Sequence, residues 1–221
     1  MTERPILFNG PMVRAVLDGR KSQARRVVKW NNHAGVNLAF SRLEAEHMFN
    51  VMWGLYSRDG EARWQERANA KCPYGKSGDL LWVRETFGFD CMAGADECAH
   101  KDCIHYRADV TDGRATESWK GHWKPATHMP RWASRITLEI TEIRVQRLQE
   151  ISEADAVAEG TRIDHMPIDV SRMPYPTHID CGRFAAAWES INGSGSWDAN
   201  PWVWAVSFKL LADSSQSGRA A

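Results

Sequence analysis

The sequence predicts an α+β domain built on a small, mixed β-barrel with short flanking helices and loop insertions. Short apolar runs, several of them alternating with polar residues, are separated by turn residues and by short helical stripes. The chain has 221 residues, 43% of them hydrophobic, which suffices for one domain with a sizeable core. We therefore predict a single domain over residues 1–211, variable insertions near 31–70 and 90–118, and a disordered tail over 212–221.

The first half of the chain predicts a helix, a strand and a hairpin, in that order. Pro11 suits the first turn of a helix and Gly19 suits its C-terminal cap, with an apolar stripe at helical spacing over residues 12–17. A basic loop follows, and the two valines at 27–28 predict the start of a strand. The Asp-Gly pair at 59–60 lies between two partly alternating aromatic runs and predicts a hairpin.

The rest of the chain predicts further strands and two helices. A short buried strand is expected over residues 80–83. The run SRITLEITEIRVQRL alternates apolar with polar residues and predicts a half-buried strand. Ser152 is the expected N-cap of a short helix that ends at Gly160. CGRFAAAWESI places its apolar residues on one helical face, and PWVWAVSFKL predicts the final strand.

The charge balance restricts where an anion could bind. Twenty-eight Lys and Arg residues balance 28 Asp and Glu residues, so any anion site must be local. The segment GRKSQARR (19–26) is the most basic stretch, and six cations with one acid lie between Arg14 and Lys29. A loop between a helix and a strand with such side chains suits a phosphate. Alternatively, it is a solvated loop whose arginines pair with acids elsewhere.

The segment LQEISEADAVAEG is the acidic counterpart of the basic loop. Glu153 and Asp155 lie near the start of the predicted helix, where the helix dipole favours acids, and they need no further function. Glu159 lies at the opposite end, where a carboxylate is unfavourable. Either another group holds Glu159 there, or it is a solvated terminal residue.

The segment WKGHWKPATHMPRWASR interleaves tryptophans with cations, among them Arg131 and Trp132. This composition is typical of a base-stacking surface with phosphate contacts, and equally of a long loop that covers one end of a small barrel. The chain holds 11 tryptophans, so some must lie in the core.

One stretch of the sequence contains cysteines and histidines that are candidate ligands of a metal ion. Five potential ligands occur in fifteen residues, at Cys91, Cys98, His100, Cys103 and His105. Their spacing lacks the paired C-x2-C knuckles of strong zinc motifs, so a polar loop with free thiols is the favoured interpretation and zinc the alternative. We predict no cofactor, and no Walker loop or G-x-G-x-x-G motif is present.

The amino-terminal stretch MTERPILFNGPMV has no apolar run of signal-peptide length, and no stretch approaches the length of a membrane span. Five cysteines without a secretory signal indicate reduced thiols. We therefore expect a cytoplasmic protein without a membrane partner. The oligomeric state is left open.

Four segments, taken in order, resemble the ASCH-domain proteins. They are GPMVRAVLDGRKSQARRVVK, CPYGKSGDLLWVRETF, HMPRWASRITLEITEIRVQRLQEISEADAVAEG and WESIN followed by NPWVWAVSF. More narrowly, they resemble the long ASCH proteins encoded by tailed bacteriophages and prophages, over most of residues 5–210. The resemblance implies a PUA-like β-barrel with a cleft beside the first helix, and a function related to nucleic acids.

The resemblance also implies candidate site residues. Some small bacterial ASCH proteins are amidohydrolases acting on acetylated cytidine, with a lysine and a threonine from a G-[RK]-K-T-x-T loop and a glutamate from the acidic helix. The lysine corresponds to Lys21 and the glutamate to Glu159. The threonine corresponds to Ala24, which has no hydroxyl. Ser22 lies on the same face of an extended chain, but about 6.6 Å away.

Three functions follow from these expectations. The favoured one is binding of a nucleic acid or modified nucleobase, RNA or another single-stranded substrate, because Ala24 lacks a nucleophile. The cleft would be lined by a set of cations, one tryptophan and one acid: Lys21, Arg25, Arg26, Arg84, Arg131, Trp132 and Glu159. The second is a hydrolase, either an amidohydrolase on N4-acylated cytidine or a ribonuclease, using Lys21 and Glu159 with Ser22 or a water. The third is a phage structural or interaction protein.

Overall fold

A computed structural model describes residues 1–29, 31–32, 42–44, 50–56, 62–69, 72–89, 103–110, 122–160 and 179–211. The described strands are β1 (Glu3–Leu7), β2 (Gln23–Val27), β3 (Asn31–Asn32), β4 (Arg42–Glu44), β5 (Asn50–Tyr56), β6 (Ala62–Asn69), β7 (Leu80–Arg84), β8 (Phe87–Phe89), β9 (Ile104–Tyr106), β10 (Thr137–Arg147) and β11 (Trp202–Leu210). The described helices are α1 (Gly10–Leu17), α2 (Glu153–Ala158) and α3 (Ile179–Asn192), with short 3₁₀ turns between strands.

The fold is mixed α+β, as predicted, and is organised around one five-stranded sheet. Its order is β1-β7-β10-β11-β2, in which β1 and β7 run parallel and the other neighbours antiparallel. The long central strand β10 contains an irregularity between Ile140 and Glu142. Among the described strands this sheet does not close into a hydrogen-bonded barrel. A four-stranded antiparallel sheet (β3-β6-β5-β4) and the β8–β9 pair complete the described strands.

The main core lies on the side of the sheet that α1 covers. Alternation along β7 buries Leu81 and Val83, and β11 contributes Trp204. Helix α1 adds Val13 and Val16 from its apolar stripe. Each fully buried side chain of this size stabilises the fold by about 1.5–3 kcal/mol. The basic segment that follows α1 is therefore held against a rigid support.

A second core positions α2. Phe184 and Trp188 of α3 pack with Leu148 and Val203 below α2. The carboxylate of Glu153 accepts hydrogen bonds from the backbone N–H groups of residues 180 and 181 at 3.0 and 3.2 Å, capping the first turn of α3. This cap gives the acid at the start of α2 a role in addition to its favourable interaction with the helix dipole.

Most predicted elements are confirmed, including α1, α2, β7, β10 and β11. Ser152 caps α2 as expected, because its Oγ accepts from the backbone N–H of Asp155 at 3.1 Å. The strands on either side of Asp59-Gly60 pair antiparallel, while the turn itself lies outside the described residues.

The predicted start of a strand at Val27 is wrong. Strand β2 begins at Gln23 and ends at Val27, so half of the supposed basic loop is strand. It pairs with β11 from Gln23–Ser207 to Val27–Val203. The strand was not recognised because cations and an amide occupy its protected face, where apolar residues are expected.

Part of the predicted organisation lies beyond what the structure describes. The tail at 212–221 and the Pro- and Met-rich stretch at 161–178 are outside the described residues, as are most of 90–118. Among the helices that are described, none combines the length and apolar character needed to cross a membrane.

Candidate functional site

Strand β2 and helix α2 bring charged side chains face to face. Successive side chains of an extended chain alternate between faces, so Lys21, Gln23 and Arg25 point the same way. On α2, Asp155 and Glu159 are four residues apart and share one face of the helix. The backbone fixes the two elements together, because the N–H of residue 22 donates to the carbonyl of residue 158 at 2.8 Å. We call the charged and amide side chains that meet here the ion cluster. They are Lys21, Gln23, Arg25, Asp155 and Glu159, together with Arg144 of β10.

Lys21 and Glu159 form the inner pair of this cluster. The Lys21 ammonium donates to Glu159 Oε2 at 2.7 Å and to the Glu159 backbone carbonyl at 2.8 Å. Both residues are buried, with 4% and 7% of their surface exposed. Glu159 is the C-cap of α2, so the ammonium also interacts favourably with the negative end of the helix. The unfavourable position of this carboxylate is thus compensated by a cation from the basic segment.

Arg25 occupies the second oxygen of Glu159. Its Nη1 lies 3.1 Å from Glu159 Oε1, and its Nη2 lies 3.0 Å from Asp155 Oδ2. Nη1 also donates to the side-chain oxygen of Gln23, and the guanidinium lies 5.6 Å from the ring centroid of Phe184. Arg25 therefore fixes the orientation of the Glu159 carboxylate toward Lys21.

Asp155 joins the cluster to the rest of the sheet. Its Oδ1 accepts from Gln23 Nε2 at 3.1 Å and from Arg144 Nη2 at 2.9 Å. Burial alone would raise the pKa of Asp155, but these two hydrogen bonds and the charges of Arg25 and Arg144 lower it below its ordinary value. Asp155 is thus ionised, and it has a structural role that the sequence interpretation did not assign.

Burial lowers the pKa of Lys21 below that of a free lysine, while the charge and hydrogen bond of Glu159 act against this shift. A buried lysine of lowered pKa can act as a base in its neutral form or as a hydrogen-bond donor in its charged form. The two bonds to Glu159 use two of its N–H groups. The ammonium has a third N–H, and the neutral amine has a lone pair.

Gly160 makes the close approach of the two elements possible. Its φ is +74°, a conformation that glycine adopts without strain. A Cβ at this position would lie 2.9 Å from Lys21 Cβ and 3.0 Å from Ala15 Cβ. A larger residue would therefore push α2 away from the Lys21 backbone.

Ser22 and Ala24 occupy different environments. Ser22 is exposed, whereas Ala24 is 0% exposed and packs in the main core with Phe8 and Val206. The methyl group of Ala24 is thus a core contact. Position 24 has no reactive group, and its side chain lies among apolar neighbours.

The remaining predicted site residues contact other parts of the fold. Arg26 donates to the Leu7 carbonyl at 2.7 Å and lies over the Phe8 ring. Arg84 and Arg131 both lie over the ring of Trp82, at 5.3 and 5.9 Å from its centroid. Trp132 stacks on Phe89 with 6.0 Å between ring centroids. Lys21, Arg25 and Glu159 are thus brought together, while Arg84, Arg131 and Trp132 belong to a separate aromatic surface.

Three members of the ion cluster were missed from the sequence, namely Gln23, Asp155 and Arg144. The available signal was the combination of period-two spacing at 21, 23 and 25 with the four-residue spacing of Asp155 and Glu159. This combination of spacings becomes informative only when β2 and α2 are known to be adjacent.

No metal centre is found in the described part of the chain, where no three His, Cys, Asp or Glu side chains are grouped for one. Of the five potential zinc ligands only Cys103 and His105 are described. Cys91, Cys98 and His100 lie outside the described residues.

Comparisons with protein-family models, with curated proteins and with solved structures found no match to this chain. The relationship to ASCH-domain proteins therefore stays a proposal.

Proposed function

We propose that this chain is an ASCH-type protein that binds a nucleobase, free or within a single strand, at the Lys21–Glu159 pair. The observation that carries the proposal is the buried 2.7 Å contact between two residues 138 positions apart. The ASCH resemblance assigns its site to these same two positions. An acid and a lysine held side by side suit the edge of a pyrimidine, because a carboxylate accepts from an exocyclic amine and an ammonium donates to a ring acceptor.

The proposed fold is a PUA-like barrel formed by the five-stranded sheet. Support comes from contacts near its two edge strands, β1 and β2. Arg26 of β2 donates to the carbonyl of Leu7 of β1 at 2.7 Å. The ring of Phe8, directly after β1, lies 6.0 Å from the ring of Phe208 on β11, the neighbour of β2. These contacts draw the edges together without ladder hydrogen bonds between β1 and β2.

The second candidate function is amide hydrolysis of an N4-acylated cytidine. It is favoured by the lowered pKa of Lys21, which suits a general base. The neutral amine would take a proton from a water, and the resulting hydroxide would add to the acyl carbon. The bond from that carbon to N4 would then break as Lys21 returns the proton to N4, giving cytidine and a carboxylic acid. A water is required because Ala24 offers no nucleophile.

Calorimetric titration with cytidine and N4-acetylcytidine tests the proposal, with product formation followed by chromatography. We expect binding by the natural chain and at least about tenfold weaker binding by Lys21→Met, as for the loss of one charge-assisted hydrogen bond. Arg20→Met is the matched control, because Arg20 lies in the same segment but is exposed and, among the described residues, pairs with Asp18. Equal binding by Lys21→Met and Arg20→Met would contradict the proposal.

Product formation separates the two functions. Turnover of N4-acetylcytidine that is lost in Lys21→Met would establish the hydrolase, while binding without turnover supports the binding module. If the nucleosides neither bind nor react, the role as a structural or interaction protein is favoured instead.

A further inference from the structure

A second group of side chains consists of two sets of rings and cations that are joined at the adjacent residues Arg131 and Trp132. We call it the aromatic–cation surface and define it by Trp82, Arg84, Phe89, Lys124, Arg131 and Trp132. It is built by the end of β7, by β8 and by the segment 122–135. Two hydrogen bonds between the backbones of residues 87 and 124, at 2.7 and 3.3 Å, tie this segment to β8. The surface is therefore part of the ordered fold.

Positive charge prevails among the described residues of this region. The described ranges 82–89, 103–110 and 122–135 contain five Lys and Arg residues and two acids. Both acids, Glu85 and Asp109, are engaged by Arg135. Across the sheet edge, Glu3 pairs with Arg131 at 2.5 Å. Within these described ranges the cations therefore outnumber the acids by five to two, although the chain as a whole is neutral.

Every cation of these ranges lies over an aromatic ring. The distances to the ring centroids are 5.3 Å for Arg84 on Trp82, 5.9 Å for Arg131 on Trp82, 5.2 Å for Lys124 on Phe89, 5.7 Å for Arg107 on Trp123 and 3.9 Å for Arg135 on Tyr106. Such contacts hold long side chains in place, which lowers the entropy lost when they bind an anion.

Trp132 is the exposed ring at this surface. The residue is 41% exposed, and its indole stacks on Phe89 with an interplanar angle of 27°. Phe89 in turn packs edge-on against the buried Phe87 at 5.4 Å. One face of the indole thus packs on Phe89, which itself packs on Phe87, and the exposed part of the ring is available to a ligand from the solvent.

We propose that the aromatic–cation surface binds an unpaired nucleic-acid strand, with a base stacked on Trp132 and backbone phosphates on Lys124, Arg84 and Arg131. An exposed ring beside ordered cations matches this ligand, because every base has an aromatic face and every nucleotide carries one phosphate. In a duplex the base faces are already stacked, so a single strand is the better fit. An acidic peptide would use the cations and leave the ring unused. The inference rests on the proposed function in taking nucleic acid as the ligand.

Fluorescence anisotropy with labelled oligo-uridylate and oligo-thymidylate of about twelve nucleotides tests the proposal. We expect Trp132→Ala to weaken binding about tenfold or more and Trp132→Phe to retain most of it, since phenylalanine still stacks. Lys124→Ala should reduce the dependence of log affinity on log salt by about 0.7. Lys209→Ala is the control, because Lys209 is an exposed lysine on β11 that pairs with Glu139. It should leave the salt dependence unchanged.

Three results would overturn the proposal. They are equal binding of the single strands by Trp132→Ala and the natural chain, equal affinity for a duplex of the same length, and equal affinity for poly-glutamate. Comparing the RNA and DNA arms shows which strand is preferred. The outcome can be distinguished from that at the ion cluster. Strand binding that depends on Trp132, without nucleoside binding at Lys21, would support the aromatic–cation surface and contradict the proposed function.

Discussion

Glu159 links the charges of the candidate site, because it serves two cations with one carboxylate. Its oxygens lie 2.7 Å from Lys21 and 3.1 Å from Arg25. Removing one partner of a buried ion pair is costly, since the other charge remains buried without compensation. The two ends of the Lys21–Glu159 contact are therefore not equivalent: Glu159 without Lys21 keeps Arg25, but Lys21 without Glu159 loses the carboxylate that it binds.

This asymmetry predicts unequal stabilities of two single variants. We expect Glu159→Gln to lower the free energy of unfolding by about 3–5 kcal/mol, and Lys21→Met to lower it by less. Urea-induced unfolding followed by circular dichroism measures both. Arg20→Met should change stability by less than about 0.5 kcal/mol, because Arg20 is at the surface. A larger loss in Lys21→Met than in Glu159→Gln would show that Arg25 does not hold the carboxylate.

The lowered pKa of Lys21 predicts a pH dependence of stability. Between the lowered value in the folded chain and the ordinary value of 10.5, the unfolded chain binds the extra proton. Stability therefore rises with pH through this window. Burial raises the pKa of the Cys181 thiol and of Tyr106 to about 12, which acts in the opposite direction at high pH. The difference in unfolding free energy between the natural chain and Lys21→Met removes these shared contributions.

We expect that difference to increase as the pH is raised from about 7 toward 10. Urea unfolding of both chains at a series of pH values checks it. A difference that stays constant or declines would mean that the Lys21 pKa is not lowered in the folded chain.

Among the elements, the helices and the central strands of the five-stranded sheet could be predicted, while the two edge strands of that sheet, β1 and β2, could not. The central strands β10 and β11 alternate or run apolar, since the sheet buries them. Edge strand β1 buries only Ile6 and contains Pro5, which an edge strand tolerates. Edge strand β2 carries Gln23 and Arg25 on a protected face, where ion pairs replace apolar contacts. The polar sequence of β2 resembles that of a loop, and it can be recognised as a strand only when the acids of α2 are known to face it.

The junction between α2 and the basic segment depends on Gly160. We expect Gly160→Ala to lower the free energy of unfolding by more than the roughly 1–2 kcal/mol of the positive φ alone, because the added Cβ would clash with Lys21 and Ala15. Gly195→Ala is the matched control. Gly195 has a φ of +78° and nothing within 4 Å of an added Cβ, so it isolates the conformational term.

Urea unfolding of the two glycine variants provides the comparison. Similar losses in both would mean that the contact of Gly160 with Lys21 is looser than the structure describes. A selective loss in Gly160→Ala, accompanied by weaker nucleoside binding, would tie the junction to the site.

For the whole molecule, the neutral charge balance predicted only that an anion site must be local. The basic segment was the obvious candidate, yet Lys21 and Arg25 are compensated by Glu159 and Asp155 inside the fold. Among the described residues, cations exceed acids around Trp132 instead, where the sequence offered base stacking as one of two interpretations. The sequence pattern identified both regions. Whether their charges are compensated depends on which acids the fold brings near, and in the basic segment this follows from the packing of β2 against α2.

NMR of the lysine ε-carbons shows whether Lys21 and Glu159 form a nucleobase site. The Lys21 signal is assigned by its loss in Lys21→Met, and cytidine is then added. We predict that this signal shifts in a saturable manner and that Glu159→Gln abolishes the shift. A Lys21 signal that stays in place while cytidine binds elsewhere, or that does not respond at saturating cytidine, would show that Lys21 and Glu159 do not form the nucleobase site.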